Sequence, residues 1–513
     1  MNGAESLIRT LIANKVDTCF ANPGTSEMHF VSALDRVEGV RCVLGLAEIV
    51  VTGCADGYGR MLGRPAATLL HCGPGFTNAI ANIHNAKRAF TPMLNIVGDH
   101  ATYHKVYDAP LTSDLEGFAK SASDWVRSSV AAQTVGADCA AAVQAANSPP
   151  GKVATLILPA DTAWGEGAEV GPVLEAPKRK LVESSTIQAV SEILKSKEPT
   201  VFILFAQALS EEGLVAANRV ASASGATLKT NAQVSKMARG RGRVPVDRIP
   251  YAIDSALKAL EGFRHIVLVG AKPPTAFFAY PGKPSLIAPK GSVTTVLARP
   301  DEDAVVALNM LADEIGAPTY TVIPQHSQMP ELFKGAFEPN AFASTLAKLI
   351  PENAIVCEDA VTSGRGLFAP TFNAAPNDWL QNTGGAIGHA FPCATGAAIA
   401  CPERKVICLQ ADGAGMYSLQ SLWTQVRENL NIVNVVFANR IYKILYGELV
   451  AVGAQPGRAS NELFDLSRPE IEWTKIAKGL GMESVAVETL ESFADVFKAA
   501  CLRKNPFLIE FKI

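Results

Sequence analysis

The sequence lacks the patterns that mark secreted proteins and zinc-binding proteins. Its ten cysteines are scattered, no two of them form a C-x-x-C pair, and none has the spacing of a zinc site. This usage predicts reduced, buried cysteines in a cytoplasmic protein. The N-terminus has no basic region followed by an apolar block, so we expect no signal peptide.

Long apolar runs and an excess of charge of one sign are also absent. The longest uncharged stretch, residues 379–402, contains Gly, Pro, Asn and His, which a membrane-spanning helix would not. The 46 basic and 49 acidic residues give a net charge of −3. This balance argues against nucleic acid or a membrane surface as a partner. No G-x-G-x-x-G motif follows the first apolar strand, so a nicotinamide enzyme is only a remote alternative.

The 513 residues are instead rich in material for several cores, with 48% hydrophobic and 19% charged residues. Short apolar strands alternate with helical patterns along the whole chain. This alternation predicts an α/β fold of three consecutive doubly wound parallel-sheet domains, the central one Rossmann-like. We place the domains at 1–165, 185–335 and 340–513, with a linker at 164–184 and a second boundary near 320–340.

Loops at the carboxyl ends of parallel strands carry the ligand chemistry in such folds. In the first predicted domain these loops hold residues 22–27, Glu48 and residues 73–78. They are therefore the first candidates for a functional site.

A second candidate lies in the segment LQADGAGMYSLQSLW, residues 409–423. An apolar strand runs into Asp412, a glycine-rich turn and a helix, and the next strand ends at Asn439, 27 residues further on. One strand–helix–strand unit of this length brings both carboxyl ends to one sheet edge. Two side-chain oxygens would then converge there, as Mg²⁺ requires, and the amides of Gly413 and Ala414 would suit a diphosphate. The alternative is that Asp412 only caps a helix.

Several segments resemble those of the thiamine-diphosphate-dependent 2-oxo acid enzymes, the family of acetolactate synthase, benzoylformate decarboxylase and pyruvate decarboxylase. In chain order, FANPGTSE resembles its F-G-x-P-G segment, AEIVVTGCADGYGR its helix ending in A-D-G-Y-A-R, and CGPGFTN its G-P-G-x-x-N loop. GGAIGHAFPCATG resembles its G-x-x-G-x-x-x-P-A-A-x-G segment. The pattern from Asp412 to Asn439 resembles its cofactor-binding motif, with Ala411 and Ala438 replacing a glycine and an asparagine.

This resemblance implies thiamine diphosphate and Mg²⁺ as cofactors. It implies Asp412, Asn439 and the backbone carbonyl of Ile441 as the metal ligands, with Gly413 and Ala414 at the diphosphate. Both alanine replacements keep the ligand-bearing residues, so metal binding should survive.

The resemblance also assigns residues to the organic part of the cofactor. Ile387 matches the apolar residue that bends the cofactor, and Gly73 and Asn78 belong to the G-P-G loop that binds it. Glu48 matches the glutamate that bonds N1′ of the aminopyrimidine. An ordinary glutamate in a first helical turn is the alternative. In the family this glutamate reaches cofactor on a neighbouring subunit, so we expect a homodimer or homotetramer with active sites at subunit interfaces.

His71 and Thr25 are the candidates for contacting a substrate. Benzoylformate decarboxylase-like enzymes have a histidine at the position of His71, which ends a strand, and a hydroxyl residue at that of Thr25. A histidine there can bond the substrate carboxylate or relay a proton. A strand-end histidine with only a structural hydrogen bond is the alternative. His100 and His104, in the loop after the next strand, are further candidates for the pocket.

The opposite wall of the pocket is expected to come from the other two domains. Phe277 takes the position of a second catalytic histidine of the decarboxylases, which leaves their two-histidine relay incomplete. Tyr442, Leu445 and Glu448 lie in or just before the helix that follows Asn439. We assign Tyr442 to the cofactor and the other two to the substrate pocket, with plain helix packing as the alternative for Leu445.

The sequence therefore predicts an enzyme that uses thiamine diphosphate and Mg²⁺ to cleave a small 2-oxo acid by non-oxidative decarboxylation. His71 and the NPGT segment favour this reaction. Carboligation of two 2-oxo acids, as in acetolactate synthase, is the main alternative and is favoured by the G-P-G loop and Phe277. A non-catalytic paralogue that only binds the cofactor is a more remote one, supported by Ala411 and Ala438.

Overall fold

The computed structural model describes residues 1–323 and 329–513, which form three sheets flanked by helices. The predicted boundary near 320–340 falls partly outside the described residues. The strands are β1 Thr18–Ala21, β2 Arg41–Leu44, β3 Ala67–Leu70, β4 Met93–Asp99, β5 Trp125–Ser128, β6 Val153–Pro159, β7 Thr200–Leu204, β8 Thr227–Thr230, β9 Met237–Arg239, β10 Asp247–Arg248, β11 His265–Val269, β12 Val293–Ala298, β13 Ala354–Asp359, β14 Asn377–Gln381, β15 Val406–Ala411, β16 Ile432–Ala438, β17 Glu483–Val487 and β18 Phe507–Lys512.

Helices connect these strands as the alternating sequence pattern predicts. They are α1 Gly3–Ala13, α2 Met28–Arg36, α3 Glu48–Leu62, α4 Cys72–Ala89, α5 Leu115–Ala122, α6 Val135–Asn147, α7 Ala160–Trp164, α8 Ser184–Lys195, α9 Glu211–Ser224, α10 Ile253–Leu260, α11 Ala304–Glu314, α12 Pro339–Leu349, α13 Val361–Gly364, α14 Ala390–Ala400, α15 Asp412–Gly415, α16 Ser421–Arg427, α17 Lys443–Ala451, α18 Arg458–Phe464, α19 Trp473–Gly479 and α20 Leu490–Cys501.

The first sheet is all parallel, in the order β2-β1-β3-β4-β6-β5. The chain runs outward in opposite directions from the pair β1–β3, so the topological switch point lies between these two strands. Ligands bind outside the carboxyl ends of strands at such a point. Asn22 and His71 are the residues that follow β1 and β3, which places the candidate loops where this rule expects a site.

The second sheet, β10-β8-β7-β11-β12, is also parallel. The third has the order β17-β18-β16-β15-β13-β14-β9, and its switch point lies between β13 and β15. All its pairs are parallel except β14 with β9, which is antiparallel. The prediction of an α/β fold built on three parallel sheets is confirmed. The domain ranges stay a prediction, because β9 comes from the predicted central range and pairs within the third sheet.

Two local expectations differ from the structure. The G-P-G segment is the first turn of helix α4 and not a loop: the helix begins at Cys72, and the Gly75 N–H donates to the carbonyl of the strand-end His71 at 2.8 Å. The helix predicted after Asp412 is divided into the short α15 and the seven-residue α16, with a turn at residues 416–420. Neither difference moves the strand ends that carry the candidate site.

We call residues 1–165, 185–335 and 340–513 the first, second and third regions. Helices α3 and α14 join the first region to the third through close backbone contact. A Cβ atom on Gly57 would lie 2.0 Å from the Cys393 carbonyl oxygen, and one on Gly396 would lie 1.8 Å from that of Cys54. Only glycine allows the two helices to approach this closely. Both helices are almost wholly buried, so their contact forms part of a core shared by the two regions.

A buried charge network crosses the same contact. The Asp56 carboxylate accepts from Arg60 Nη2 at 2.6 Å and pairs with His389 Nε2 at 2.8 Å. Arg60 also donates to the backbone oxygens of Ser235, at 3.1 Å, and of Gln381, at 2.6 Å. The guanidinium therefore holds segments of all three regions together. Over the residues described, no helix combines the length and apolar character needed to traverse a bilayer.

Candidate active site

Asp412 lies at the meeting point of the two strand ends that the sequence pairs. Strands β15 and β16 are parallel neighbours, with Ala411 opposite Phe437. The buried Asp412 carboxylate accepts from the backbone N–H of Gly413 through Oδ1 and from that of Arg440 through Oδ2, both at 2.7 Å. Burial raises its pKa, and these two N–H donors only partly offset that effect. The carboxylate is thus turned towards the end of β16 rather than towards solvent.

The oxygen atoms around this point fit a hard divalent cation. Asn439 follows β16, and its side-chain Oδ1 accepts from the Ile441 N–H at 3.0 Å. Carboxylate, amide and backbone carbonyl oxygens are the donor set that Mg²⁺ prefers, and no sulfur or imidazole competes in this set. The residues predicted as metal ligands, Asp412, Asn439 and Ile441, are therefore within one turn of the same two strand ends.

Tyr442 closes one side of this site. A Cβ atom on Gly413 would lie 2.5 Å from Tyr442 Cε1, so the tyrosine ring packs directly on the Gly413 backbone. Burial raises the pKa of Tyr442, and the nearby Tyr417 and Asp412 raise it further. Because Gly413 has no side chain, the Tyr442 ring lies directly against the first backbone N–H groups of α15. Ala414, which follows in that turn, is buried.

Asp359 is a site residue that the sequence reasoning missed. It ends β13 at the switch point of the third sheet, and its Oδ2 accepts from the N–H groups of Gly388, at 2.8 Å, and His389, at 3.0 Å. Burial raises its pKa. These bonds fix the loop that carries the half-buried Ile387. An acidic residue at the end of the apolar strand AIVCED was the available signal.

Glu48 begins helix α3 in the first region and is buried, with 8% of its surface exposed. Its Oε1 accepts from Asn22 Nδ2 at 3.1 Å. A Cβ atom on Gly75 would lie 3.2 Å from Glu48 Oε1, so this glycine of the G-P-G segment leaves room beside the carboxylate. The structure thus brings the loops after β1, β2 and β3 together around Glu48.

His71 lies in the same region and is held by two residues that the sequence reasoning did not name. Its Nδ1 lies 3.0 Å from Glu27 Oε2 and 3.1 Å from Ser26 Oγ. Ser26 also donates to Glu27. Glu27 is buried, and its Oε2 accepts from the Gly24 N–H at 2.8 Å. A serine and a glutamate directly after NPGT were visible in the sequence, but only folding shows that they face His71.

A cavity of about 320 Å³ opens at this histidine. His100 and His104 line it together with Thr25, so these three predicted pocket residues are gathered at one place. The full lining is Thr25, Ser26, His71, Cys72, Asp99, His100, Ala101, Tyr103, His104, Leu111, Ala160 and Trp164. All of these residues belong to the first region. Ser26 rather than Thr25 makes the hydrogen bond to His71.

Two further residues predicted at the cofactor lie on the first two turns of α4. A Cβ atom on Gly73 would lie 2.0 Å from Ser113 Oγ, so this glycine is required by the loop that packs on it. Asn78 is exposed on the helix surface. Its role at the cofactor therefore stays a prediction that depends on what covers this surface.

Two of the remaining predicted pocket residues, Phe277 and Glu448, line a separate cavity of about 230 Å³ between the second region and helix α17. Glu448 accepts from Tyr251 Oη at 3.2 Å and from Tyr280 Oη, so its carboxylate ties α17 to the second region. Phe277 also lines this cavity, and its ring packs on Gly385, two residues before Ile387. Leu445 is 36% exposed and does not line the cavity.

The predicted site residues thus form two groups in one chain. The side-chain hydrogen bonds of Glu48 and His71 stay within residues 22–72, and those of Asp412 and Asn439 stay within residues 412–441. The first group offers a carboxylate and an imidazole, the types of group that can exchange protons. The second offers oxygen atoms and backbone amides, the types of group that can hold a metal and a diphosphate.

Comparison with known proteins gives matches at both groups. Residues 1–118 match the model "Thiamine pyrophosphate enzyme, N-terminal TPP binding domain", and residues 366–511 match "Thiamine pyrophosphate enzyme, C-terminal TPP binding domain". The chain is 46% identical to the "Putative acetolactate synthase large subunit IlvX" of Mycobacterium tuberculosis, over 99% of this chain and 98% of that protein.

Two further matches, one relative and one solved structure, are named as decarboxylases of benzoylformate or 4-hydroxybenzoylformate. Over 96% of this chain and 95% of the relative, the sequence is 25% identical to the benzoylformate decarboxylase of Pseudomonas aeruginosa. The solved structure of a thiamine diphosphate-dependent 4-hydroxybenzoylformate decarboxylase from Rhodococcus jostii RHA1 superposes with a TM-score of 0.86. That match covers 99% of this chain and 98% of the other at 23% identity, and it supports the fold alone.

Proposed function

Because the chain belongs to the thiamine-pyrophosphate-dependent 2-oxo acid enzyme family, we propose that it cleaves a small 2-oxo acid by non-oxidative decarboxylation with thiamine diphosphate and Mg²⁺. The observation that carries this choice of reaction is the contact of His71 with Glu27 at the wall of the 320 Å³ cavity. An imidazole oriented by a carboxylate can deliver the proton that an aldehyde product needs.

The two groups of residues have different tasks in this proposal. When bound, thiamine diphosphate supplies the electron sink that makes loss of CO₂ possible. Asp412, Asn439 and the Ile441 carbonyl would hold Mg²⁺, and the first amides of α15 would receive the diphosphate. Ile387, in the loop fixed by Asp359, would contact the organic part of the cofactor.

Glu48 and His71 move protons. The Glu48 carboxylate, buried and oriented by Asn22, would hold or release a proton at its Oε atoms beside the position of the aminopyrimidine. His71 binds the substrate carboxylate and later returns a proton to the product carbon, while Glu27 holds its ring in one orientation. Thr25 and His100 line the space in which the substrate would lie.

The proposal includes an assembly of at least two copies of the chain, which the resemblance to the family implies. The proton-transfer group lies in the first region and the metal group in the third. A homodimer or homotetramer in which the first region of one copy covers the metal group of another would complete the site. The exposed Asn78 and Tyr417, at 51% exposure, lie on surfaces that such a contact would cover.

Carboligation of two 2-oxo acids is the second candidate function. Phe277 stands on the wall next to Ile387 where the decarboxylases to which the sequence is similar have a second histidine, and the relative at 46% identity carries an acetolactate synthase name. An apolar wall cannot donate a proton at that side of the pocket, so it favours the binding of a second carbonyl substrate there.

A product analysis decides between these reactions. The purified protein, with thiamine diphosphate and Mg²⁺, is given pyruvate or benzoylformate, and the products are separated by chromatography. Aldehyde as the main product supports decarboxylation, and acetolactate or a benzoin-type product would replace it with carboligation. If neither substrate is consumed while calorimetry shows cofactor binding, the proposal of an active enzyme for these substrates fails.

A further inference from the structure

The Glu27, His71 and Cys72 side chains form a cluster whose chemistry goes beyond proton transfer. One ligand atom from each of the three lies within 4.8 Å of the other two. Glu27 and Cys72 are buried, while His71 borders the 320 Å³ cavity. A thiol, an imidazole and a carboxylate are the three ligand types that zinc sites with an open position combine.

The spacing of these atoms suits a single small ion. His71 Nδ1 lies 3.0 Å from Glu27 Oε2, and Cys72 Sγ lies 3.2 Å from Ser26 Oγ, which itself lies 3.1 Å from His71 Nδ1. Ligands of one tetrahedral Zn²⁺ are about 3.3–3.6 Å apart, as bond lengths of about 2.0–2.3 Å require. The three ligand atoms lie within 4.8 Å of one another, so binding one ion requires side-chain rotations that draw them together and move Ser26 Oγ aside.

The surroundings point to a ligand as well. His100 lines the same cavity, and its buried Nε2 has no hydrogen-bond partner within residues 1–323 and 329–513. Ser26 Oγ contacts all three members of the cluster, so it lies at the point on which they converge and an ion there would displace it. Cys72 also has a left-handed backbone with φ of 47°, a conformation that cysteine rarely adopts and that aims its side chain here.

We propose that Glu27, His71 and Cys72 form a binding site for a thiophilic divalent cation such as Zn²⁺, separate from the Mg²⁺ site at Asp412. The sulfur and nitrogen donors select against Mg²⁺ and for Zn²⁺ or Co²⁺. Binding converts the Cys72 thiol to a thiolate and releases its proton to solvent, with no change of oxidation state. The cation leaves room for a fourth ligand from the cavity, either water or His100.

Occupancy of this site would switch the enzyme off. The metal engages Nδ1 of His71 and a Glu27 oxygen, the same atoms that form the His71–Glu27 contact. This consequence rests on the proposed function of His71, whereas metal binding itself does not. The two statements are therefore tested separately.

Cobalt spectroscopy tests the binding. Co²⁺ is titrated into the holoprotein with thiamine diphosphate and excess Mg²⁺, which keeps the Asp412 site filled. We expect one equivalent to produce a thiolate-to-cobalt charge-transfer band. The band should be lost in Cys72→Ser and kept in the matched control Cys42→Ser, whose thiol is exposed on β2.

The outcomes separate the two proposals. A wild-type protein without the band, or a band unchanged in Cys72→Ser, overturns the metal site. If the band is present and Zn²⁺ inhibits turnover in proportion to its occupancy, the inhibition is supported. A band in a protein that turns over no 2-oxo acid leaves the metal site standing and removes only the proposed function.

Discussion

At the scale of single residues, the proposed chemistry depends on carboxylates that are buried and oriented by one or two neighbours. Glu48 bonds to Asn22, Glu27 to His71 and Asp359 to two backbone N–H groups. Burying a charged group costs free energy unless its hydrogen bonds are satisfied, so the fold has to supply a hydrogen-bond partner for each of these carboxylates. Such positions are where substitutions should affect the reaction more than stability.

Glu48→Gln is expected to lower kcat by about 10²–10⁴-fold, since an amide of the same shape cannot accept a proton. Cofactor affinity, measured by calorimetry with thiamine diphosphate, should change little, because the diphosphate is held elsewhere. Glu38→Gln, at an exposed position of the same region, is the matched control and should be silent. Wild-type turnover in Glu48→Gln would remove this residue from the mechanism.

Glu27→Gln tests whether Glu27 positions His71. The amide keeps the size of the side chain but loses the charge-assisted contact with Nδ1, so the ring is free to reorient. We expect kcat to fall by about 10–100-fold and KM to rise, because His71 both binds the substrate carboxylate and returns the proton, while the thermal midpoint stays close to that of the wild type. Unchanged kcat and KM would show that His71 needs no partner.

At the scale of elements, the approach of α3 to α14 joins the region of Glu48 to that of Asp412. The close backbone contacts at Gly57 and Gly396 leave no space for a methyl group on either helix. Glycine in a helix lowers stability, so its presence in two facing helices is explained by packing and not by helix propensity.

Gly57→Ala is therefore expected to lower the free energy of unfolding by about 1–3 kcal/mol, because the new Cβ meets the Cys393 carbonyl. Denaturant unfolding followed by circular dichroism measures this change. Gly447→Ala is the matched control: Gly447 also lies in a helix, α17, but a Cβ there meets no atom within 4 Å. It should be neutral or stabilising by up to about 1 kcal/mol. Equal effects of both changes would show that the α3–α14 contact adjusts freely.

The elements themselves were largely readable from the sequence. Strands such as β15 and β16 are continuous apolar runs because both faces of a parallel sheet are covered, and this pattern is distinctive. The first turn of α4 was not readable as helix, since G-P-G favours a turn and only the packing of Ser113 on Gly73 shows how it is held. Strand β9 was missed because three residues that pair with β14, far along the chain, leave no local pattern.

At the scale of the whole molecule, the Asp56–Arg60–His389 network holds the three regions in one arrangement. Burial by itself lowers the pKa of His389, but Cys393 and the hydrogen bond to Asp56 outweigh it and raise the pKa to about 9. Burial raises the pKa of Asp56, and Arg60 and His389 bring it down to about 2. The folded protein thus keeps a protonated His389 beside an ionised Asp56 near neutral pH.

Because the pKa of His389 is raised in the folded state, the free energy of unfolding is expected to fall at alkaline pH. The folded state binds a proton that the unfolded chain releases near pH 6.5, so this contribution is complete below pH 6.5 and is lost as the pH rises through about 9. Thermal midpoints measured from pH 6.5 to pH 9.5 should fall more steeply for the wild type than for His389→Gln, which has no proton to lose. Parallel curves would mean that His389 is neutral in the folded protein. Arg404→Gln, which removes a partly exposed cation from the third region, controls for a general effect of charge.

The sequence by itself determined the fold class and the strand ends that carry the candidate site. Periodicity and the residue that follows each strand are local properties, so Asp412 and Asn439 could be paired from the order of residues, whereas Glu48 and His71 were assigned by the resemblance to the family. Only the tertiary structure decided which side chains meet. It placed Glu27 and Ser26 on His71 and tied Glu448 to two tyrosines. Contacts between residues distant in sequence depend on the packing of whole sheets and helices, and no local pattern encodes that packing.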